Sequence, residues 1–236
     1  MKKPARAAAV LQKLRTTYPD VHCELDHQGA FQLLVATILS AQCTDVRVNL
    51  VTPALFKKYP DAESLAAARQ EDVEDLVRST GFFRNKAKNL IGAAKSLVQD
   101  HQGNVPRELA PLTHLPGVGR KTANVVLGNA YGIEAGIVVD THVARLSKRL
   151  GLTKHTDPVK IEKDLLKQIP QDTWTLWSHL LIWHGRRRCP ARKPDCLQCE
   201  VRDLCPSAGK PATRPKPKLP AGRARRAKQA KRPASA

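Results

Sequence analysis

The stretch Leu112-Thr113-His114-Leu115-Pro116-Gly117-Val118-Gly119-Arg120-Lys121-Thr122-Ala123-Asn124-Val125-Val126 decides the architecture. A helix ends near Leu115, a turn of Pro, Gly, Val and Gly follows, and a new helix begins around Arg120. The two glycines permit positive φ and close approach of another backbone. The N–H groups of Gly117, Val118 and Gly119 are therefore expected to converge beside the positive end of the second helix, where they can bind one phosphate. Such a helix-hairpin-helix grips a phosphodiester backbone without contacting bases, which gives affinity without sequence specificity. The competing interpretation is an ordinary helix corner with basic neighbours.

Outward from this motif the helix period dominates. Phe31, Leu34, Val35, Ile38 and Leu39 fall at i, i+3, i+4, i+7 and i+8, the spacing of a buried helix face. Ala87, Leu90, Ile91, Ala94, Leu97 and Val98 repeat the pattern. Asp157-Pro158 ahead of Ile161, Leu165, Leu166 and Ile169 supplies a capping carboxylate and a first-turn proline. The segment from Glu71 to Thr80 runs into Gly81, a helix stop. Phe, Trp and Tyr together reach 4% of the chain against 42% apolar residues overall, a balance that suits packed helices better than an aromatic-rich β-sandwich. With no sustained strand alternation and no fixed repeat, the expectation is an all-α fold of about nine or ten short helices in two layers or two small domains.

The 236 residues carry 40 Lys and Arg against 21 Asp and Glu, a net charge of +19, so the expected partner is a polyanion. Ser207 to Ala236 holds ten of the cations and five prolines, no acidic residue, and Leu219 as its only large apolar side chain. Such a segment cannot bury enough surface to offset its ordering entropy and is expected to be a disordered basic arm, serving either solubility or nonspecific attachment to nucleic acid. The rest of the chain keeps +9 without it. The longest apolar stretch, Leu33 to Ala41, is interrupted by Thr37 and Ser40 and falls far short of the roughly 18 residues of a membrane span. The apolar block near the N-terminus is too short for a secretory signal, while an organelle-targeting function stays open.

Three groups carry chemistry. Lys121 sits in the first turn of the second hairpin helix, where the macrodipole and the convergent N–H groups disfavour a cation and are expected to push its pKa down. A neutral amine there can attack a sugar C1′, expel a base and leave a Schiff base; the plainer role is one more phosphate contact. Gly136 to Val139 is an apolar run that ends at Asp140, ahead of Thr141 and His142. Asp140 is placed to cap the helix starting at Thr141, and its carboxylate can also stabilise an oxocarbenium-like sugar or accept a proton. Four thiols in the pattern Cys189-x6-Cys196-x2-Cys199-x5-Cys205 can close around a tetrahedral zinc or a four-iron cluster, and spacing alone does not separate the two. The loop they staple carries Arg192 and Lys193 beside Arg186, Arg187 and Arg188, a set of cations for DNA. Cys23 and Cys43 are expected to be buried thiols and the tryptophans 174, 177 and 183 packing residues, with no ligand role for His179 or His184.

Leu115 to Val126, Val139 to His142, the cysteine group and Ile38-Leu39-Ser40-Ala41-Gln42-Cys43-Thr44-Asp45 occur in the order and at the spacing of the helix-hairpin-helix (HhH-GPD) DNA glycosylases. From about residue 5 to 206 the chain resembles the endonuclease III branch of that family. The resemblance implies a six-helix barrel domain over residues 23–133, a second domain of residues 1–22 and 134–206 around a [4Fe-4S] cluster, and a disordered tail over 207–236, with DNA across the cleft. It implies that Lys121 is the Schiff-base nucleophile and Asp140 its carboxylate partner, and that Cys189, Cys196, Cys199 and Cys205 hold iron and sulfur in preference to zinc. It further implies that Gln42 and Phe82 fill the stack vacated by a flipped pyrimidine.

Two positions depart from the family. Relatives often have Leu at the place of Phe82, which either stacks on a neighbouring base or makes the apolar contact that accompanies a helix C-cap at Gly81. Gln42 likewise enters the stack or satisfies a helix end with its amide. Thr113 stands where relatives often carry Glu, which bears on the preferred lesion more than on the reaction. The implied activity is a bifunctional DNA N-glycosylase and abasic-site lyase on oxidised pyrimidines, a monomer acting on double-stranded DNA with damaged bases or abasic sites. No membrane is involved, and the implied compartment is the bacterial cytoplasm at the nucleoid, or the nucleus or mitochondrion of a eukaryote. A rival, the adenine-mismatch glycosylase of the same superfamily, uses a Glu on the helix matching residues 31–41, but here no carboxylate occurs between Asp26 and Asp45. A non-catalytic DNA-binding module would need neither Lys121 nor Asp140.

Overall fold

Helix signals in the sequence become eleven α-helices among the residues that the computed structural model describes, 1–209, and no strand occurs among them. The basic arm expected over 207–236 lies outside the described residues from residue 210 on. In chain order the helices are α1 (Lys3–Thr17), α2 (Gly29–Leu39), α3 (Asp45–Lys58), α4 (Ala62–Ala66), α5 (Gln70–Val77), α6 (Phe83–His101), α7 (Leu109–His114), α8 (Arg120–Tyr131), α9 (Thr141–Arg149), α10 (Pro158–Leu166) and α11 (Trp174–Arg187). The helix expected to reach Thr80 is α5 followed by a 3-10 turn, Arg78–Thr80, and Gly81 then reverses the chain at φ 73°. Asp157 caps α10 by accepting from the Lys160 N–H at 3.0 Å, with Pro158 in the first turn.

Burial divides the apolar side chains into two clusters. The first runs from Leu25 to Leu127 and is centred on α2, whose residues Leu33 to Leu39 are all buried. The i, i+3, i+4 pattern understated this helix: α3, α6 and α8 all pack on it, so it is enclosed on every side. The second cluster joins Ala7, Val10 and Leu14 of α1 to side chains of α9, α10 and α11, including the fully buried Trp177. The chain passes from one cluster to the other along the irregular strap Ile133–Asp140. Hydrogen bonds also cross between them, among them His179 Nε2 with Asn129 Oδ1 at 2.7 Å.

Candidate active site and metal centre

The hairpin is fixed by its own apolar residues. Leu112, Leu115 and Val118 are buried in the first cluster, and Gly117 takes φ +77° against Asn89, where an added Cβ would come within 2.8 Å of the Asn89 Cβ. This corrects the expected phosphate cradle in two details. Gly119 is extended, at φ −91° and ψ 172°, so only Gly117 uses the left-handed region. The Val118 N–H is engaged inside the turn by the Leu115 carbonyl at 3.0 Å, because that bond closes the hairpin. The donors left without a backbone partner are therefore the N–H groups of Gly117 and Gly119 and those of the first turn of α8, which a helix leaves unpaired at its N-terminus.

Lys121 lies in that first turn and is exposed. Asp140 caps α9, its Oδ1 accepting from the Val143 N–H at 2.8 Å, which leaves Oδ2 for other work. Asp45, the first residue of α3, joins them: burial raises its pKa and Asp140 pushes it further up, whereas His142 and Lys121 pull it down. The Arg186 guanidinium also lies 2.7 Å from Asp45 Oδ2. Lys121 and Asp140 thus share an electrostatic neighbourhood with Asp45 and His142. Asp45 had no assigned role in the sequence, although it closes the Ile38–Asp45 segment quoted above.

Gln42 and Phe82 are both exposed and both in the left-handed region, at φ 54° and φ 49°. Phe82 is 64% exposed, which excludes the apolar cap contact. No hydrogen bond is made by the Gln42 amide among the described residues, so it does not satisfy a helix end. Left-handed backbone is unusual for a side chain with a Cβ, and it gathers at functional positions. Lys193, at φ 53° and also exposed, shares the property.

The four cysteines converge beside the second cluster, and Cys189, Cys199 and Cys205 pack against it. Burial, then the neighbouring Cys189, Glu200 and Cys205, pushes the Cys199 thiol up to about 11, opposed by a backbone N–H at Val201. Arg149 donates to Cys189 Sγ at 3.0 Å and to the carbonyls of Pro190 and Ala191 at 2.8 Å and 3.0 Å. His184, which the sequence gave no role, sits with Nε2 3.5 Å from Cys199 Sγ while Tyr18 Oη lies 3.0 Å from its Nδ1. Burial lowers the His184 pKa to about 4 and raises that of Tyr18 to about 12, so a neutral imidazole, held by the phenol, faces the sulfur. Among the described residues, His184, Cys199 and Glu200 are the one set of metal-type donors all within 4.8 Å of one another. Four thiols, one of them receiving a hydrogen bond from Arg149, are a donor set that suits a thiolate-ligated metal centre.

Arg192 and Lys193 are exposed at the tip of this loop, as expected. The three arginines before Cys189 are not free cations, which corrects the basic face read from the sequence. Arg186 pairs with Glu24 and Asp45, Arg187 with Glu24 at 3.1 Å, and Arg188 with Asp195 at 2.9 Å and Glu200 at 3.1 Å. Arg187 also lies over the Trp183 ring at 3.7 Å. Their partners stand up to 163 residues away in sequence, beyond any local pattern.

Residues 35–171 match the family model described as HhH-GPD superfamily base excision DNA repair protein. The endonuclease III of Synechocystis sp. is 58% identical over 206 residues, covering 87% of this chain and 94% of that protein. That of Escherichia coli K12 is 41% identical over 204 residues, covering 85% and 95%. A solved non-covalent endonuclease III–DNA complex superimposes with TM-score 0.83 at 44% identity, over 88% of this chain and 97% of that one. A trapped endonuclease III–DNA covalent intermediate gives TM-score 0.83 at 43% identity, over 88% and 98%.

Proposed function

The chain belongs to the endonuclease III family within the HhH-GPD superfamily of base excision DNA repair proteins, and on that premise we propose that it is a bifunctional DNA glycosylase and abasic-site lyase that removes oxidised pyrimidines from duplex DNA. The Lys121 amine attacks C1′ of a nucleotide turned out of the stack, the bond from C1′ to the base breaks, and the base leaves with a proton. Loss of a proton from C2′ of the resulting Schiff base then expels the 3′ phosphate by β-elimination. Asp140 supports the positive charge developing at C1′ and serves as proton acceptor. The observation that carries this reading is that the Asp45 carboxylate feels both Lys121, in the first turn of α8, and Asp140, the cap of α9.

The exposed left-handed residues Gln42 and Phe82 enter the vacated stack. Gly117, Gly119 and the first turn of α8 hold a phosphate, Val118 anchors the hairpin, and Arg192 and Lys193 reach the backbone from the cysteine loop. The four cysteines hold a [4Fe-4S] cluster, which when bound supplies a covalent clasp for a loop that buries one apolar side chain, Val201. Residues 23–133 form the barrel domain and residues 1–22 with 134–206 the cluster domain, a division supported by the two apolar clusters. The protein acts as a monomer in the compartment that holds the DNA, and no described helix is long and apolar enough to cross a membrane.

Borohydride reduction in the presence of a thymine-glycol or abasic duplex tests the assignment. Wild type is expected to form a covalent protein–DNA adduct and Lys121→Ala none, with the variant's thermal melt unchanged. Absence of a wild-type adduct, or equal trapping by the variant, leaves a passive DNA clasp instead. Including an adenine-mismatch duplex in the same panel addresses the rival glycosylase, which α2 disfavours because it carries no carboxylate. Iron and acid-labile sulfide in the purified protein would support the cluster, and bound zinc in their place would remove it.

A further inference from the structure

Lys121 and Asp140 stand on different halves of the molecule. Lys121 lies in the first turn of α8, which packs in the first cluster, and Asp140 caps α9, which packs in the second. Nucleophilic attack tolerates little misplacement of the reacting groups, so a contact that fixes α8 against the second half matters to the chemistry. Glu162, on the buried face of α10, makes one. Its carboxylate accepts from Arg120 Nε at 3.0 Å and Nη2 at 3.1 Å, and Oε1 also accepts from Asn124 Nδ2 at 3.2 Å. Arg120 and Asn124 are four residues apart on one face of α8 and flank Lys121.

A single carboxylate thus grips the turn that carries the lysine. The Glu162 side chain is 8% exposed, and a fork-to-fork pair with a buried carboxylate is far more directional than a surface ion pair. The strap passes directly over it. A Cβ on Gly136 would lie 2.3 Å from Glu162 Oε1 and 2.5 Å from Asn124 Nδ2. Gly136 is not among the positive-φ glycines, so it provides room and not conformational freedom.

We propose that Glu162 is a positioning residue for Lys121, tying the lysine's helix to the half that holds Asp140 without touching DNA itself. This rests on the catalytic assignment of Lys121. The test uses the full chain and an abasic duplex, comparing wild type, Glu162→Gln and Gly136→Ala in single-turnover borohydride trapping at saturating DNA and in binding to a duplex with a reduced abasic site. Glu162→Gln is expected to trap at least about tenfold more slowly while its Kd changes by less than about threefold. Gly136→Ala, which disturbs the same carboxylate from another element, is expected to show the same split. Glu162→Gln trapping at the wild-type rate, or losing binding in proportion to rate, overturns the proposal. If Glu162→Gln does not fold, Gly136→Ala decides by the same criterion. A wild type that forms no adduct removes the lysine chemistry and this role together, whereas an active wild type with an unaffected variant removes this role alone.

Discussion

Around the hairpin, Leu112, Leu115 and Val118 are buried and the turn is closed by a backbone hydrogen bond. Around the cysteine loop, Val201 is the one buried side chain between residues 189 and 205, and closure is polar: Arg149 on four acceptors, Arg188 on two carboxylates, and four thiols. On the proposed function both regions meet the DNA backbone. One is stabilised by apolar burial, whereas the other buries little of its own and, on the proposed function, depends on the cluster its sulfurs would hold.

Cys199→Ser should separate the two regions most sharply. Iron is expected to be lost and residues 189–205 to become protease-sensitive, while hydrogen exchange in α2 and α6 stays slow; a simultaneous collapse of both regions would contradict the contrast. Leu112→Ala, at a fully buried position, removes hairpin packing and should cost about 2 to 5 kcal/mol in denaturant unfolding, with bound iron unchanged.

Acid probes the seam between the clusters through His179, whose pKa burial lowers to about 4, with His22 acting in the same direction. The unfolded chain takes up this proton first as pH falls, so stability present above about pH 6.5 is lost toward pH 4, amounting to about 2 kcal/mol at pH 5. His179→Gln should flatten melting temperature against pH over that window. Smallest of all, Arg192→Ala should weaken DNA binding evenly across sequences and reduce the slope of log affinity against log salt by about 1; an unchanged slope would detach the loop tip from the phosphates.

Local chemistry was legible where it acts within a few residues. Helix periodicity, the Asp157 and Asp140 caps, the Pro-Gly-Val-Gly corner and the cysteine spacing each follow from neighbours in sequence. What the sequence withheld depends on distant partners. Glu24 and Asp45 neutralise Arg186, and Glu162 holds Arg120 across 42 residues, pairings that no periodic pattern encodes. The left-handed conformations of Gln42 and Phe82 were equally hidden, because neither residue is a glycine and the surrounding turns impose the geometry. The Val118 N–H departs from expectation for the opposite reason: a very local bond to the Leu115 carbonyl takes up the donor.

The place of α1 has a consequence for the order of assembly. Ala7, Val10 and Leu14 leave the ribosome well before the side chains that cover them, such as Leu180 and Leu181, which are synthesised some 170 residues later. At usual elongation speeds that interval is roughly 10 to 30 s, during which the entire α2–α8 body can condense while the first helix waits with an uncovered greasy stripe. The newborn chain therefore carries that uncovered stripe until α11 has been made, and the docking of α11 on α1 is what retires the hazard.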